Sequence, residues 1–421
     1  MIETIRFPGD VTLHVCRDTR FKQGCLSVQF LLPLCRQDAA LNALVPSVLL
    51  RGSRSLPDLR AVTAALDELY GSSIGALARK FRTCYGTGFC LSFLEDRFAL
   101  PGEQVLFPLL ELTEDLLLRP AGSGSGFRPD YVESEKQNLI SVIESRKNNK
   151  ASYAMHRLID RMCREDPSGT PRLGTAEQTA AITPEKAFSH YQRLLKTAPI
   201  SLFYVGSMAP DALSRKLETL FSFPERTPVA LPAPAPFRDP GGSRFSEVQN
   251  LAQSHLCMGF VTPVTLDHPL YPAMQLLNIL YGSGMTSKLF LQVREARSLC
   301  YSIQSVYTAG NGILTVYAGI DADTQQQTEE EILHQLDLCC QGQITPEELD
   351  AARKSFRSSL ASVMDSPSAL EGYFTAALKN GICLDSRQRI ALVDRVTVEE
   401  LAQAARSLRL HTVYFLEGAH S

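Results

Sequence analysis

The stretch SKLFLQVREARSLCYSIQSVY, residues 287–307, decides how the chain is interpreted. Its apolar spacing predicts an amphipathic helix over residues 286–299 and a strand over residues 301–308, with Arg294 and Tyr301 near the junction. A guanidinium offers fixed donors to a carbonyl, and a phenol can donate to developing negative charge. We therefore expect half of an active site. On spacing alone a surface arginine and a core tyrosine are the commoner explanation, so the functional interpretation depends on the rest of the chain.

Composition excludes several classes of protein. The chain has 421 residues, of which 44% are hydrophobic and 21% charged, as in folded soluble proteins. Its 42 basic and 45 acidic residues give a formal charge of -3, which favours neither nucleic acid nor anionic membrane as a partner. The N-terminal MIETIRFPGD lacks an export signal, and no apolar run approaches the roughly 20 residues of a membrane span. We expect a cytoplasmic protein.

The cysteines indicate reduced, buried thiols. There are eleven, an odd number, and no pair has the CxxC spacing of a zinc or redox motif. An unrecognised metal site that uses Cys84, Cys90 and His156 has no support from spacing and stays open as an alternative.

A proline-rich segment divides the chain. Residues 223–243, FPERTPVALPAPAPFRDPGGS, cannot form a regular hydrogen-bonded ladder and are typical of a semi-rigid linker. The predicted domains are therefore residues 1–222 and residues 244–421.

The two halves resemble each other. VQFLLP, with Phe30, is matched by MGFVTP, with Phe260, and ISLFYVG, ending at Gly206, is matched by TVYFLEG, ending at Gly418. The offset falls from 230 to 212 positions, which indicates duplication with small deletions. Each half has strands first, then helices and a closing strand, so we predict an α+β fold with antiparallel sheets and helices gathered on one face.

The run GSGMTSKLFLQVREARSLCYSIQS at residues 282–305 resembles the M16 (insulinase or pitrilysin-like) metallopeptidase family, and the resemblance extends over nearly the whole chain. Family members carry there a Gly-rich turn, a helix ending in Arg-Glu, and a tyrosine seven residues after the arginine. The resemblance implies two homologous LuxS/MPP-like domains arranged as a clamshell. It assigns substrate-backbone and oxyanion contacts, opposite a zinc site, to Arg294 and Tyr301.

The Gly-rich turn has more than one explanation. The resemblance assigns peptide binding to Gly282, Ser283 and Gly284. A helix N-terminus follows this turn, so an anion site is an alternative, but the GxxxxGK[ST] spacing is absent and a simple capped turn fits as well.

The zinc motif of the family, HxxEH, is missing. Of the eight histidines, no two are four residues apart. Alignment of the motif places Ala43 and Ser47 at the two histidine positions and Pro46 at the glutamate position. None of these residues can bind zinc or act as the general base as required. The more distant ligand falls on Val142 if Glu135 matches the upstream glutamate of the family, and a shift of the alignment by two residues would place it on Glu144 instead. The loss of the whole motif argues against intrinsic zinc peptidase activity.

Together these features predict a non-catalytic M16-like subunit. It would form a heterodimer with a separate HxxEH subunit that carries the zinc, while this chain, which needs no cofactor, contributes peptide binding and oxyanion contacts. Within the family it is most similar to the group labelled elongation factor P 5-aminopentanol modification-associated proteins. The alternative is a scaffold with a peptide-holding chamber that takes no part in catalysis.

Overall fold

The computed structural model describes residues 2–123, 126–220, 223, 225–233, 237–381 and 385–418. Residues 224 and 234–236 of the predicted linker lie outside the described residues.

The strands are β1 Ile2–Phe7, β2 Val11–Arg17, β3 Gln23–Pro33, β4 Ser73–Lys80, β5 Cys84–Leu94, β6 Gly122–Ser123, β7 Gly126–Phe127, β8 Ile200–Gly206, β9 Arg244–Gln249, β10 Ser254–Val261, β11 Ser302–Thr308, β12 Ile313–Ile320 and β13 Arg409–Gly418.

The α-helices are α1 Ala39–Leu49, α2 Leu59–Glu68, α3 Leu106–Leu118, α4 Pro129–Asn148, α5 Lys150–Met162, α6 Ala176–Ala180, α7 Pro184–Thr197, α8 Pro210–Leu220, α9 Tyr271–Gly282, α10 Gln325–Cys340, α11 Pro346–Val363, α12 Pro367–Lys379, α13 Ser386–Asp394 and α14 Val398–Arg406. A π-helix spans Leu289–Ala296, and short 3₁₀ turns span Asp96–Phe98, Pro167–Gly169 and Ala322–Thr324.

The chain forms two compact units that are not continuous in sequence. The first comprises Met1–Glu144, Thr170–Pro234 and Val363–Lys379, and the second comprises Ser145–Gly169, Ala235–Ser362 and Asn380–Ser421. Each half of the sequence therefore gives one segment to the unit built mainly from the other half. The sequence boundary at residues 223–243 stays a prediction.

The five strands of the second sheet have the same topology as β2, β8, β3, β5 and β4 of the first sheet, which has β1 in addition. The first has the strand order β1-β2-β8-β3-β5-β4, and the second has the order β11-β12-β10-β13-β9. In each, a single parallel pair, β2 with β8 or β9 with β13, stands among antiparallel neighbours. Phe30 pairs with Ile200, and Phe260 pairs with Leu410 in the matching position of the second sheet. The predicted α+β class with two homologous domains is confirmed.

The exchanged segments contain helices that lie on these sheets. In the first unit α12 packs on β3 and β8, and in the second α5 packs on β10 and β13. Helix α5 is capped by Asn149, whose side chain accepts a hydrogen bond of 2.9 Å from the Ser152 amide. Ala154, Leu158 and Met162 recur every fourth residue and are buried against the sheet.

A buried carboxylate fixes α12 in the first unit. Glu371 is fully buried, and its Oε1 accepts hydrogen bonds from Ser27 Oγ at 2.5 Å and from Thr375 Oγ1 at 3.0 Å. Gln29 Nε2 donates to the same oxygen at 3.2 Å, and Arg79 Nη1 lies 2.7 Å from Oε2. Because residues of β3 and β4 surround one glutamate of α12, the helix has a single favourable register on the sheet.

Within the described ranges, none of the helices combines the length and the apolar character that crossing a bilayer requires.

Candidate functional site

The helix that carries Arg294 is a π-helix and not the α-helix that the sequence predicts. The Arg297 amide donates to Gln292 O at 3.2 Å and the Leu299 amide to Val293 O at 2.9 Å, so the bonds are wider than the α-helical i to i−4 pattern. Ser298 then takes a left-handed conformation, with φ of 53°, and ends the helix. Short π segments are rare and occur often at functional sites.

Arg294 is held by stacking and keeps access to solvent. Its Cζ lies 4.7 Å above the centre of the Phe290 ring, and its Nε lies 3.7 Å from Glu295 Oε1. The side chain is 40% exposed and makes no closer polar contact within the described part of the chain. The ring orients the guanidinium, and most of its donors stay available to a ligand.

Tyr301 stands directly before β11, and its phenol is paired. Its amide donates to Gly319 O at 2.8 Å, which joins it to the start of the β11–β12 hairpin. The side chain is 60% exposed, and its hydroxyl lies 2.9 Å from Asp321 Oδ2 and 3.1 Å from Oδ1. The phenol therefore donates its proton to Asp321. Sequence reasoning missed Asp321, which directly follows β12, the strand that pairs with β11.

A pocket of about 370 Å³ joins these groups. Its lining consists of Arg294, Glu295, Ser298, Leu299, Cys300, Tyr301 and Asp321. The structure thus brings the predicted Arg294 and Tyr301 to one surface of the second unit. Burial raises the pKa of the Cys300 thiol to about 11, so it is not a reactive thiolate at neutral pH.

The predicted peptide-binding turn does not belong to this pocket. Within the described residues, Gly282, Ser283 and Gly284 are not part of the pocket lining. Ser287 Oγ donates to Gly284 O at 2.7 Å and accepts from the Phe290 amide at 3.3 Å. These bonds are those of a capped turn, the alternative given above. The assignment of Gly282, Ser283 and Gly284 to peptide binding stays a prediction.

The Tyr301–Asp321 pair gives a measurable pKa. The hydrogen bond to Asp321, and then its charge, raise the pKa of Tyr301, because losing the proton breaks the bond and brings two negative charges together. We expect Asp321→Asn to lower the pKa of Tyr301 towards its ordinary value. The measurement is a pH titration by NMR of tyrosine labelled at Cζ, with Tyr301→Phe to assign the resonance.

Tyr70 is the control in the same titration. Its hydroxyl donates to Glu103, which raises the pKa of Tyr70 in the same way, in the first unit. Asp321→Asn should leave Tyr70 unchanged. A Tyr301 resonance that titrates identically in wild type and Asp321→Asn would show that the pair does not form in solution.

The positions of the lost zinc motif lie in α1 of the first unit. Ala43 and Pro46 are buried, and Ser47 is half-buried. Pro46 has no N–H to donate to Asn42 O, four residues earlier, and the Thr87 hydroxyl donates to this carbonyl instead. The helix at this position has therefore been rebuilt around a proline, and its residues do not fit a zinc ion.

A chain of hydrogen bonds joins α7 to this helix. His190 Nε2 lies 2.7 Å from Asn42 Oδ1, and Arg193 Nη2 lies 2.8 Å from His190 Nδ1 and 2.7 Å from Asp38 Oδ2. Since Arg193 can only donate, Nδ1 accepts and Nε2 carries the proton that is donated to Asn42. His190 is therefore a neutral structural residue.

Because His190 is buried and neutral, we expect the free energy of unfolding to depend on pH. Burial, and then the charge of Arg193, lower the pKa of His190 to about 4. The unfolded chain, with a histidine pKa of about 6.5, takes up a proton that the folded chain refuses, so stability falls as the pH falls from about 6.5 towards 4. Between pH 7.5 and pH 4.5 the wild type should lose about 2 kcal/mol more than His190→Gln in urea unfolding followed by circular dichroism. Equal losses would contradict this assignment.

Other possible metal ligands are dispersed. Among the described residues, no three His, Cys, Asp or Glu side chains are grouped so that they could hold a metal ion. Cys84 and Cys90 lie on β5 of the first unit, whereas His156 lies in α5 of the second. Glu135 is paired with Arg51, whose Nε lies 3.2 Å from its Oε1.

Comparison with known proteins supports the resemblance to M16 peptidases. Residues 181–356 match the family model described as the peptidase M16 inactive domain. Over these residues the chain is similar to the M16 peptidase family. It is similar to the probable inactive metalloprotease YmfF of Bacillus subtilis (strain 168), with 27% identity across 97% of this chain and 96% of that protein. The resemblance to M16 and the inactive, peptidase-like character are confirmed.

Solved structures of the M16-like fold cover the whole chain. A conserved protein from Enterococcus faecalis V583 has a TM-score of 0.91 with 25% identity and covers 100% of this chain and 99% of its own. The peptidase M16 inactive domain from Pseudomonas fluorescens has a TM-score of 0.80 with 18% identity, over 100% and 99% of the two chains. The second likeness shows the fold alone.

Proposed function

We propose that this chain is the non-catalytic subunit of a two-chain M16 peptidase. It binds the peptide backbone and donates to the oxyanion, while a separate HxxEH subunit supplies zinc, water and the general base. One observation carries the proposal: Arg294 and Tyr301 share an exposed pocket, whereas Ala43, Pro46 and Ser47 offer no zinc ligands. This division of labour leaves each chain with half of the required groups.

The position of the pocket supports peptide binding. It lies at the start of β11, the edge strand of the second sheet. On β11 the side chains of Ser302, Gln304, Val306 and Thr308 are exposed. An extended peptide can add to the edge of a sheet through main-chain hydrogen bonds, with alternate side chains in contact with the surface. A peptide added along β11 would bring a carbonyl group to Arg294.

The two side chains have different tasks. Arg294 offers a permanently charged donor to a substrate carbonyl. Tyr301 has one proton, which Asp321 accepts in this structure, so the phenol must turn from Asp321 before it donates to an oxyanion. A phenol is protonated at neutral pH, and the hydrogen bond to Asp321 raises the pKa of Tyr301 further, so Tyr301 can act as this donor.

We also propose that the pair acts in the cytoplasm. The described cysteines are free thiols, the state that a reducing compartment maintains.

The test is reconstitution with a purified zinc-bearing M16 subunit. Peptide cleavage is measured for this chain, for the partner and for the mixture, and zinc is measured in each. We expect cleavage by the mixture only, with zinc confined to the partner. Cleavage by this chain alone with one zinc bound would overturn the proposal. A mixture no more active than the partner would remove the role in catalysis.

A scaffold without catalytic contacts is the second candidate. The observation in its favour is that Tyr301 already donates to Asp321, so the phenol is satisfied without a substrate. In that case the complex with the partner would form and would cleave peptides equally well with Arg294→Ala.

A further inference from the structure

A row of polar side chains lies along the outer strands of the first sheet. β1 and β2 pair so that Thr4 faces His14 and Arg6 faces Thr12. Residues that pair directly across two antiparallel strands have their side chains on the same face of the sheet. These four residues and Lys379, the last residue of α12, line one pocket of about 380 Å³ in the first unit. The polar positions of two strands and the end of one helix therefore converge.

Among the residues that the structure describes, the ammonium group of Lys379 forms no ion pair. Its side chain is partly buried, and burial lowers the pKa of Lys379. Within the described part of the chain it makes no hydrogen bond or ion pair. Asp10, which also lines the pocket, is exposed and forms no ion pair with Lys379 within the described residues, although its charge partly opposes the lowering of the pKa of Lys379 by burial. Removing a charge from water without a partner is unfavourable, so an anion in the pocket would be stabilised.

His14 provides a second donor. It is only 7% exposed, and its Nδ1 lies 3.0 Å from Thr4 Oγ1. Burial, and then the charge of Lys379, lower its pKa to about 4, so the ring is neutral at pH 7. When Thr4 donates to Nδ1, the proton of the ring lies on Nε2, which has no hydrogen-bond partner among the described residues.

We propose that this pocket binds the phosphate group of a small organic phosphate monoester. Arg6 and Lys379 supply positive charge, while His14 Nε2–H and the Thr12 hydroxyl supply directed hydrogen bonds. Donors from both strands and the helix suit a tetrahedral anion with three oxygens better than a planar carboxylate. The volume of 380 Å³ leaves room for an organic group beyond the phosphate, and Phe7 and Leu378 form an apolar wall for it.

The inference is independent of the proposed role in peptide cleavage, and calorimetry tests it directly. Phenyl phosphate, inorganic phosphate and benzoate are titrated into the full chain. We expect phenyl phosphate to bind most tightly and benzoate at least about tenfold more weakly. Lys379→Met should weaken the binding of phenyl phosphate at least about tenfold, because it removes the buried charge and keeps the length of the side chain. Lys22→Met, at an exposed lysine of the same unit outside the pocket, is the matched control and should bind like wild type.

A measurement on the wild type does not depend on the folding of any variant. Lysines are acetylated with and without phenyl phosphate, and the modified peptides are quantified by mass spectrometry. Protection of Lys379, with no protection of Lys22, is expected. Absence of phenyl phosphate binding at millimolar concentration, equal binding of benzoate, or unprotected Lys379 would each overturn the proposal.

Discussion

Glu371→Ala is expected to lower the free energy of unfolding of the first unit by about 3 kcal/mol. The carboxylate is fully buried and is the common acceptor for Ser27, Gln29 and Arg79. Its removal leaves the Arg79 guanidinium without its counter-ion and takes the acceptor from the Ser27 and Thr375 hydroxyls, while Gln29 Nε2 keeps only its bond to Ser27 Oγ. The side chain of Arg79 is 29% exposed, so water compensates part of the loss and the estimate lies at the low end for a broken buried ion pair.

Hydrogen exchange followed by mass spectrometry localises this effect. Peptides from β3 and β4 should exchange faster in Glu371→Ala, while peptides from β12 in the second unit provide the internal reference. Glu133→Ala is the matched control, because Glu133 is an exposed helical glutamate paired with Lys136, and such pairs contribute at most about 1 kcal/mol. Equal exchange in both variants would show that the buried network does not anchor α12.

A double replacement separates charge from packing. Glu371→Met combined with Arg79→Met removes both charges together, and we expect it to recover most of the loss. Replacing a buried ion pair with apolar side chains of similar size is often neutral or stabilising, whereas removing one partner is not. A double variant as unstable as Glu371→Ala would assign the effect to the hydroxyl and amide donors instead.

The exchange of α5 and α12 could not be predicted from the sequence. Spacing predicts a helix over residues 368–380, and α12 spans Pro367–Lys379, but an amphipathic face does not specify which sheet it covers. A glutamate in such a helix is usually solvated. Only the three-dimensional structure shows that polar residues of β3 and β4 surround Glu371.

The candidate site was partly accessible from sequence. The Arg-Glu and Tyr spacing pointed to Arg294 and Tyr301, and the predicted strand over residues 301–308 agrees with β11. The register that pairs Ser302 with Gly319 also implies that Asp321 lies near Tyr301, so this residue could have been found. The π-helix could not, because its extra residue per turn leaves no distinct pattern in eight residues.

Helix α1 shows a different limit of prediction from sequence. Matching the family motif to the sequence placed it at Ala43, Pro46 and Ser47, but a proline inside a helix leaves a carbonyl without its usual donor. The helix continues because Thr87, from β5, satisfies the carbonyl that Pro46 releases. A contact between residues so distant in sequence is not visible in local propensity.

Tyr301→Phe is expected to lower the cleavage rate of the reconstituted pair by about a hundredfold, because the loss of one oxyanion donor typically costs about 10² to 10³ in rate. Arg294→Ala is expected to lower the rate by at least as much. Phenylalanine keeps the ring and removes only the hydroxyl, so assembly with the partner should be unaffected. Tyr70→Phe removes a phenol that also donates to a carboxylate, and Arg406→Ala removes an exposed arginine paired with Glu399. Both controls should retain full activity.

Asp321→Asn then distinguishes a contributing site from a scaffold. If the phenol serves the oxyanion, weakening its bond to Asp321 makes the proton easier to release to the substrate, so cleavage should stay at the wild-type rate or rise. If Tyr301 and Asp321 only stabilise the β11–β12 hairpin, Asp321→Asn and Tyr301→Phe should both leave the cleavage rate unchanged and lower the thermal stability of the second unit. A hundredfold loss with Tyr301→Phe and none with Asp321→Asn is the result that assigns the phenol to the oxyanion, because a structural pair would respond alike to the loss of either partner.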